Sequence, residues 1–288
     1  MRSLLFVPGD DTRKLEKAMT AGADALIIDL EDSVAGGRKE DARETAATFL
    51  KQAGTDGPRL YLRINDLASG LAEADLDATL APVLAGIMLP KCCGGADVAR
   101  LDAMLRLEEA RHGLAAGGLT ILTVATENAA SLFAMGSFAG SSPRLEGISW
   151  GAEDLSADLG AETSRDDQGH YTDPYRLART LTLLGAMAAG ALPIDGVHTD
   201  FRDLDGLRSE ARAARRDGFL AKLAIHPAQV PVINEVFAPD PAALAQARAI
   251  VAAFAAQPDA GTIGLDGRMI DRPHLLRARR LLASAGKV

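Results

Sequence analysis

Eight short apolar runs recur along the chain, and they constrain the fold more than any other feature. They are Leu4–Val7, Ala25–Leu30, Leu60–Ile64, Gly86–Leu89, Thr120–Val124, Gly147–Trp150, Ile194–Val197 and Ala221–Ile225. They lack the polar alternation of a strand with one wet face, so burial on both faces is expected. Stretches of helical character separate them: Thr12–Ala21, Lys39–Gln52, Ala96–His112, Asn128–Met135, Pro174–Ala189 and Asp203–Asp217, with a weaker one after Leu71. Apolar strands alternating with helices indicate parallel βαβ units. About eight such units in 288 residues predict an α/β fold of the (β/α)8 TIM-barrel type. A doubly wound open sheet is the alternative. It would favour a G-x-G-x-x-G turn after the first strand, where this chain has Pro8-Gly9-Asp10-Asp11.

Beyond His226 the pattern changes. HPAQVPVINEVF reads as a short helix, Ala242–Gln257 as an Ala-rich helix, and GTIGLDGRMIDRPHLLRARRLL as a turn-rich connector and a final helix with Pro273 near its start. The expected organisation is a barrel over residues 1–230 and a helical extension over residues 231–288.

Composition narrows the function classes. Hydrophobic content of 48% with 24% charged residues fits a soluble globular protein. A net charge of -8 disfavours a nucleic-acid partner, which needs a basic face. No secretion signal is visible, and no apolar run reaches the ~18 residues of a membrane span. The two cysteines, Cys92 and Cys93, are adjacent and read as free thiols of a reducing cytoplasm.

In a barrel enzyme, catalytic groups lie at the C-terminal ends of the strands. The second run ends in Asp29, Glu31 and Asp32, the third carries Arg63 and Asn65, and the fourth ends in Lys91. The fifth leads to Glu127, the sixth to Glu153 and Asp154, the seventh to His198, Thr199 and Asp200, and the eighth to His226. Glu127 alone has a bland reading, as a first-turn acid after a Thr126 N-cap. Carboxylates on neighbouring strands instead suggest a hard cation such as Mg2+, with Arg63 facing it. Zinc is disfavoured because no Cys/His set has ligand spacing. Asp29, Glu31 and Asp32 either contact the ligand or brace Arg63 and the metal site. Lys91 either binds an anion or caps a loop, and His226 either fixes its loop or acts in catalysis. His112, His170 and His274 are expected at solvated positions, Trp150 near the barrel rim, and Arg208–Arg216 on a solvated helix face.

The motifs RSLLFVPGD, ADALIIDLEDSV, YLRIN, MLPK, GAEDLSADLG, IDGVHTDFRD, KLAIHPAQV and LDGRMIDRPHL run from residue 2 to about residue 275. Together they resemble the citrate lyase β-subunit-like branch of the HpcH/HpaI aldolase family, which includes malyl-CoA and citramalyl-CoA lyases. The resemblance implies a Mg2+-dependent barrel enzyme, commonly trimeric or hexameric. Such enzymes cleave or form the C–C bond between an acyl thioester and a 2-oxo acid. It implies Glu127 and Asp154 as metal ligands, Arg63 as the substrate arginine, and Phe6 and Lys17 as thioester contacts. Glu153, Ile225 and His226 would border the substrate, and Asp271 would reach a neighbouring subunit's site and move the proton. Two other activities share this scaffold: a citrate lyase β subunit working with an acyl carrier protein, and a malyl-CoA thioesterase. Three places depart from the family pattern: Asn128 after Glu127, Asp11 where a basic residue is common, and Cys92-Cys93-Gly94-Gly95 after MLPK.

Overall fold

In a computed structural model, which describes residues 1–286, each apolar run becomes one strand of a closed parallel barrel with strands in sequence order. The order begins β1 (Ser3–Pro8), α1 (Thr12–Ala18), β2 (Ala25–Asp29), α2 (Lys39–Gln52), β3 (Arg59–Arg63), α3 (Ala72–Thr79), β4 (Leu84–Cys92) and α4 (Gly95–Arg111). It continues β5 (Thr120–Ala125), α5 (Ala129–Phe133), β6 (Leu145–Trp150), α6 (Ala152–Leu159), α7 (Asp173–Ala189), β7 (Leu192–Asp195), α8 (Leu204–Asp217), β8 (Ala221–Ala224) and α9 (Gln229–Phe237). Pairing of β1 with β8 closes the ring.

The apolar strands are buried as their composition requires. Every residue of β2 is buried, including Leu26, Ile27 and Ile28 at 0% exposure. Each such side chain contributes about 1.5–3 kcal/mol relative to an exposed one. The helices cover the strands with one apolar stripe each. In α8 that stripe is Leu207, Ala211 and Ala214, at helical spacing. Asp203 caps its start by accepting from Gly206 N–H, and Gly218 ends it in the left-handed conformation. At the N-terminal end of the barrel Glu146 ties three strands together. It pairs with Arg59 and accepts from Tyr61 Oη at 2.8 Å and Thr120 Oγ1 at 2.6 Å.

Three expectations change. The segment after β6 is not only a carrier of carboxylates: Ala152–Leu159 is a helix, ended by left-handed Gly160. Thr126 is not a helix cap. It is buried, and Asn128 caps α5 by accepting from Ser131 N–H. The connector after α10 (Pro241–Ala256) is a hairpin of β9 (Thr262–Leu265) and β10 (Arg268–Asp271), leading to α11 (Arg272–Ala285). Its loop is Asp266-Gly267, with φ of 47° and 71°. A two-residue Asp-Gly loop favours such a tight hairpin because both residues tolerate positive φ.

Two compact units result: Arg2–Phe237, which holds the barrel and α9, and the segment from Ala238 onward together with Met1. The second unit has its own core of Ala247, Ile250, Phe254, Ile263, Ile270, Leu275 and Ala278. Among the described residues no helix is long and apolar enough to cross a membrane.

Candidate active site

Arg63 and Asp29 are register partners at the C-terminal ends of β3 and β2. Their side chains meet in a bidentate pair, with Arg63 Nε and Nη2 donating to the two Asp29 oxygens at 2.7 Å each. Asp29 also accepts from the N–H groups of Glu31 (2.9 Å) and Ser33 (3.1 Å). Burial pushes the Asp29 carboxyl up, but the Arg63 bonds and charge outweigh it and hold it below the usual range. The guanidinium lies 4.7 Å from the centre of the Phe6 ring on β1. Its Nη1 faces Glu31 Oε2 at 3.0 Å and Asp32 Oδ2 at 3.6 Å. Arg63 is thus fixed from three sides, with its looser contact to the half-exposed Asp32.

Lys91 lies on the adjacent strand, β4. The β4–β5 register shifts between Leu89 and Cys92, and within this bulge Lys91 has φ 48°. Thr126, just beyond β5, has φ 58°. Positive φ is costly for side-chain-bearing residues and clusters at functional sites. The bulge turns both groups of Lys91 toward carboxylates. Its ammonium pairs with Glu31, lies 3.1 Å from Asp32 and 3.6 Å from Asp154. Its backbone N–H donates to Glu127 Oε2 at 2.5 Å.

β5 and β6 run in register to Ala125 and Trp150, so Glu127 and Asp154 follow directly paired strand ends. Glu127 is 5% exposed and Asp154 sits in the first turn of α6. Burial, reinforced by the Asp154 charge, raises the Glu127 carboxyl well above the usual range. Burial likewise pushes Glu31 up to about 7, against the pull of Arg63 and Lys91. Gly151 leaves the space Glu127 occupies: a Cβ there would lie 2.8 Å from Glu127 Cγ and 3.0 Å from Oε1.

Five carboxylates (Asp29, Glu31, Asp32, Glu127, Asp154) therefore face two cations, Arg63 and Lys91. The excess of negative charge concentrates at Glu127 and Asp154. Such an all-oxygen pair suits a dication that keeps other positions for water and substrate.

The remaining expected residues are spread more widely. Glu153 is exposed beside Asp154. Lys17 is exposed in the last turn of α1. Ile225 is 40% exposed just past β8. The His226 ring accepts from Ala228 N–H at 3.1 Å and stacks on Phe201 at 4.8 Å, so it fixes its loop. Asp271 ends β10 in the C-terminal unit, with its carboxylate paired to His274. Asp11, Asn128 and Cys92 serve local structure. Asp11 caps α1 by accepting from Lys14 N–H, and Asn128 caps α5 while its Nδ2 lies 3.4 Å from Cys93 Sγ. Cys92 is buried, its thiol pushed up to about 12 by burial.

Sequence reasoning misses a second charged cluster, centred on β7. Asp195, at the end of β7, accepts from Trp150 Nε1 (2.9 Å), Arg179 Nε (2.8 Å) and Lys222 Nζ (2.9 Å). Lys222 is 1% exposed and also donates to Gly196 O at 2.8 Å. The signal is a lysine inside the apolar run Ala221–Ile225, a position that demands a buried partner.

The HpcH/HpaI aldolase/citrate lyase family model matches residues 2–227. The chain belongs to this family. It is similar to the (3S)-malyl-CoA thioesterase of Cereibacter sphaeroides, at 35% identity over 296 residues, 99% of this chain and 94% of the relative. The L-malyl-CoA/β-methylmalyl-CoA lyase of the same species is 34% identical over 303 residues, again 99% and 94%. Among solved structures, CitE from Mycobacterium tuberculosis in complex with magnesium, acetoacetate and coenzyme A superposes with a TM-score of 0.78 at 33% identity, covering 99% of this chain and 98% of that one.

Proposed function

We propose that the chain is a Mg2+-dependent lyase that cleaves, or forms, the C–C bond of a 3-hydroxyacyl-CoA such as malyl-CoA, β-methylmalyl-CoA or citramalyl-CoA. The observation that carries this reading is the single rim on which the acid-rich Glu127–Asp154 pair faces the triply anchored Arg63. The related proteins act on malyl-CoA by name, and the neighbouring CitE structure contains magnesium and coenzyme A.

In this reading Glu127 and Asp154 hold Mg2+, and Lys91 keeps Glu31 and Asp32 neutralised beside them. When bound, the ion would supply Lewis acidity to the substrate's hydroxyl oxygen, stabilising the negative charge that grows there. Arg63 does the complementary work. C–C cleavage moves an electron pair onto the thioester fragment as an enolate while the hydroxyl loses its proton. The guanidinium, held still by Asp29 and Phe6, offers its Nη1 face to the enolate oxygen by displacing the loosely held Asp32. The proton returns to the enolate carbon through Asp271, supplied by an adjacent copy in a trimer or hexamer. Phe6 and Lys17 would border the thioester, and Glu153, Ile225 and His226 the acid portion.

The thioesterase reading has one observation in its favour: identity to the thioesterase and to the lyase is the same within one per cent. A thioester panel with Mg2+, following CoA and 2-oxo acid, separates them. No free CoA thiol is released by cleavage to acetyl-CoA and glyoxylate, whereas hydrolysis releases thiol and no glyoxylate. Glyoxylate or pyruvate with an acyl-CoA product supports the lyase, and thiol alone refutes it. A citryl-carrier-protein substrate would appear as activity only with a small acidic carrier protein. Mixed oligomers of Arg63→Lys and Asp271→Asn chains test the shared site. Activity regained on mixing supports a cross-copy Asp271, and its absence refutes it.

A further inference from the structure

Away from the barrel mouth, α3 and α4 bring together Asp77, Glu108 and His112. One ligand atom from each lies within 4.8 Å of the others. His112 Nε2 is 3.7 Å from Glu108 Oε2 and 3.9 Å from Asp77 Oδ1. Glu108 and His112 stand four residues apart at the end of α4, so their side chains rise on one face. A salt link to a protonated imidazole would account for proximity alone.

Glu108 adds an independent observation. It is 7% exposed, and its Oε1 accepts from Arg111 Nη1 at 2.8 Å. Its Oε2 is fully buried, has no hydrogen-bond partner, and points at the imidazole. A buried carboxylate oxygen without a partner is costly. A cation between Glu108, His112 and Asp77 would satisfy it.

We propose that Asp77, Glu108 and His112 form a divalent-metal site, for a first-row transition ion of the Zn2+ class, that clamps α3 to α4 on the outer wall of the barrel. The imidazole selects the ion, because Mg2+ takes oxygen ligands and retains its waters. With bonds of about 2.0–2.1 Å, tetrahedral ligands sit about 3.3 Å apart. The group therefore needs only modest contraction. Asp77, whose side chain is 73% exposed, is the movable ligand and leaves the site open to solvent. The site owes nothing to the reading of the barrel mouth.

The test is Co2+ binding to tag-free, full-length protein in excess Mg2+, followed by visible absorption, with Zn2+ as competitor. One Co2+ site that Zn2+ displaces is expected. His112→Gln and Glu108→Gln should weaken it about tenfold or more, and exposed Asp77→Asn should weaken it with no effect on folding. Glu127→Gln should leave it intact. No Co2+ uptake in Mg2+ excess would overturn the proposal. So would uptake unchanged by all three ligand substitutions, or uptake lost with Glu127→Gln.

Discussion

Gly151→Ala probes the barrel mouth with a single methyl group. Gly151 has extended backbone angles (φ -124°, ψ 120°), which alanine adopts freely, so the substitution adds bulk without backbone strain. The new Cβ would lie 2.8 Å from Glu127 Cγ and 3.3 Å from Cδ. Ordinary carbon contacts are about 3.5–4.0 Å, so the carboxylate must retreat by about 0.7 Å or more. It has little room: Glu127 is 5% exposed, and Lys91 N–H holds its Oε2 from the other side at 2.5 Å. Overpacking of this kind costs about 1–3 kcal/mol, or about 2–4 °C of melting temperature per kcal/mol in a chain of this size. The functional cost should be larger. Displacement on the ångström scale lowers rates by about a hundredfold, and Mg2+ affinity should fall with it. The assay is a Mg2+ titration of melting temperature beside Mg2+-dependent turnover of malyl-CoA. A Gly151→Ala protein that binds Mg2+ within about twofold of wild type would refute the assignment of Glu127 as a ligand.

Other outcomes follow from the same contacts. Arg63→Lys keeps the charge but cannot reproduce the bidentate link to Asp29, so turnover should fall about 100- to 1000-fold with little loss of stability; steady-state kinetics and thermal melts check both halves. Lys222→Met strips the buried Asp195 of one partner and should destabilise by about 3–5 kcal/mol, while a double variant with Asp195→Asn loses less than the two singles combined. Trp150 is the one tryptophan of the chain and donates to Asp195, so its emission should shift in both proteins. Acid titration tests the same cluster. Glu210 of α8 belongs to it, with Oε2 3.0 Å from His198 Nδ1 and 3.7 Å from Lys222 Nζ. Burial raises the carboxyls of Asp195 and Glu210, but the charges of Lys222 and Arg179 lower the first, and the contact with His198 and the charge of Lys222 lower the second, both to about 2. Because these values lie below the unfolded ones of about 3.9 and 4.3, their stabilisation is present above pH ~4 and lost as pH falls toward 2. Asp195→Asn should flatten that limb in pH-dependent denaturation, and an unchanged limb would count against the cluster.

The barrel was legible because it depends on a repeated pattern. Each strand announces itself by a buried apolar run, and the polar residue that ends the run marks the mouth; Asp29, Arg63, Glu127 and Asp154 all stand out this way. Helix α6 was hidden because it is only eight residues long and buries only Ala152 and Leu155, too few to register a period. Lys91 was ambiguous because its role comes from a bulge that turns φ to 48°, and no local sequence signal encodes that turn. Gly151 was silent for the opposite reason, since what matters is the side chain it lacks.

These hidden parts share one physical task. A strand-end carboxylate is easy to read, but a cluster of five cannot persist in a buried rim without compensation. Lys91 and Arg63 pair most closely with Asp29, Glu31 and Asp32, and what remains least compensated is Glu127 with Asp154, which the Lys91 ammonium reaches only at 3.6 Å. On β7, which pairs with β6, Asp195 is overmatched by Lys222 and Arg179, so its charge is compensated inside the wall and the indole of Trp150 is fixed one residue before the Gly151 turn. The placement of the cations thus decides which carboxylates are left to attract an ion. Moving Lys91 should therefore do more than remove a contact. Lys91→Met would free Glu31 and Asp32 to compete for the dication, and Arg63 would then be pulled further toward them and away from the substrate.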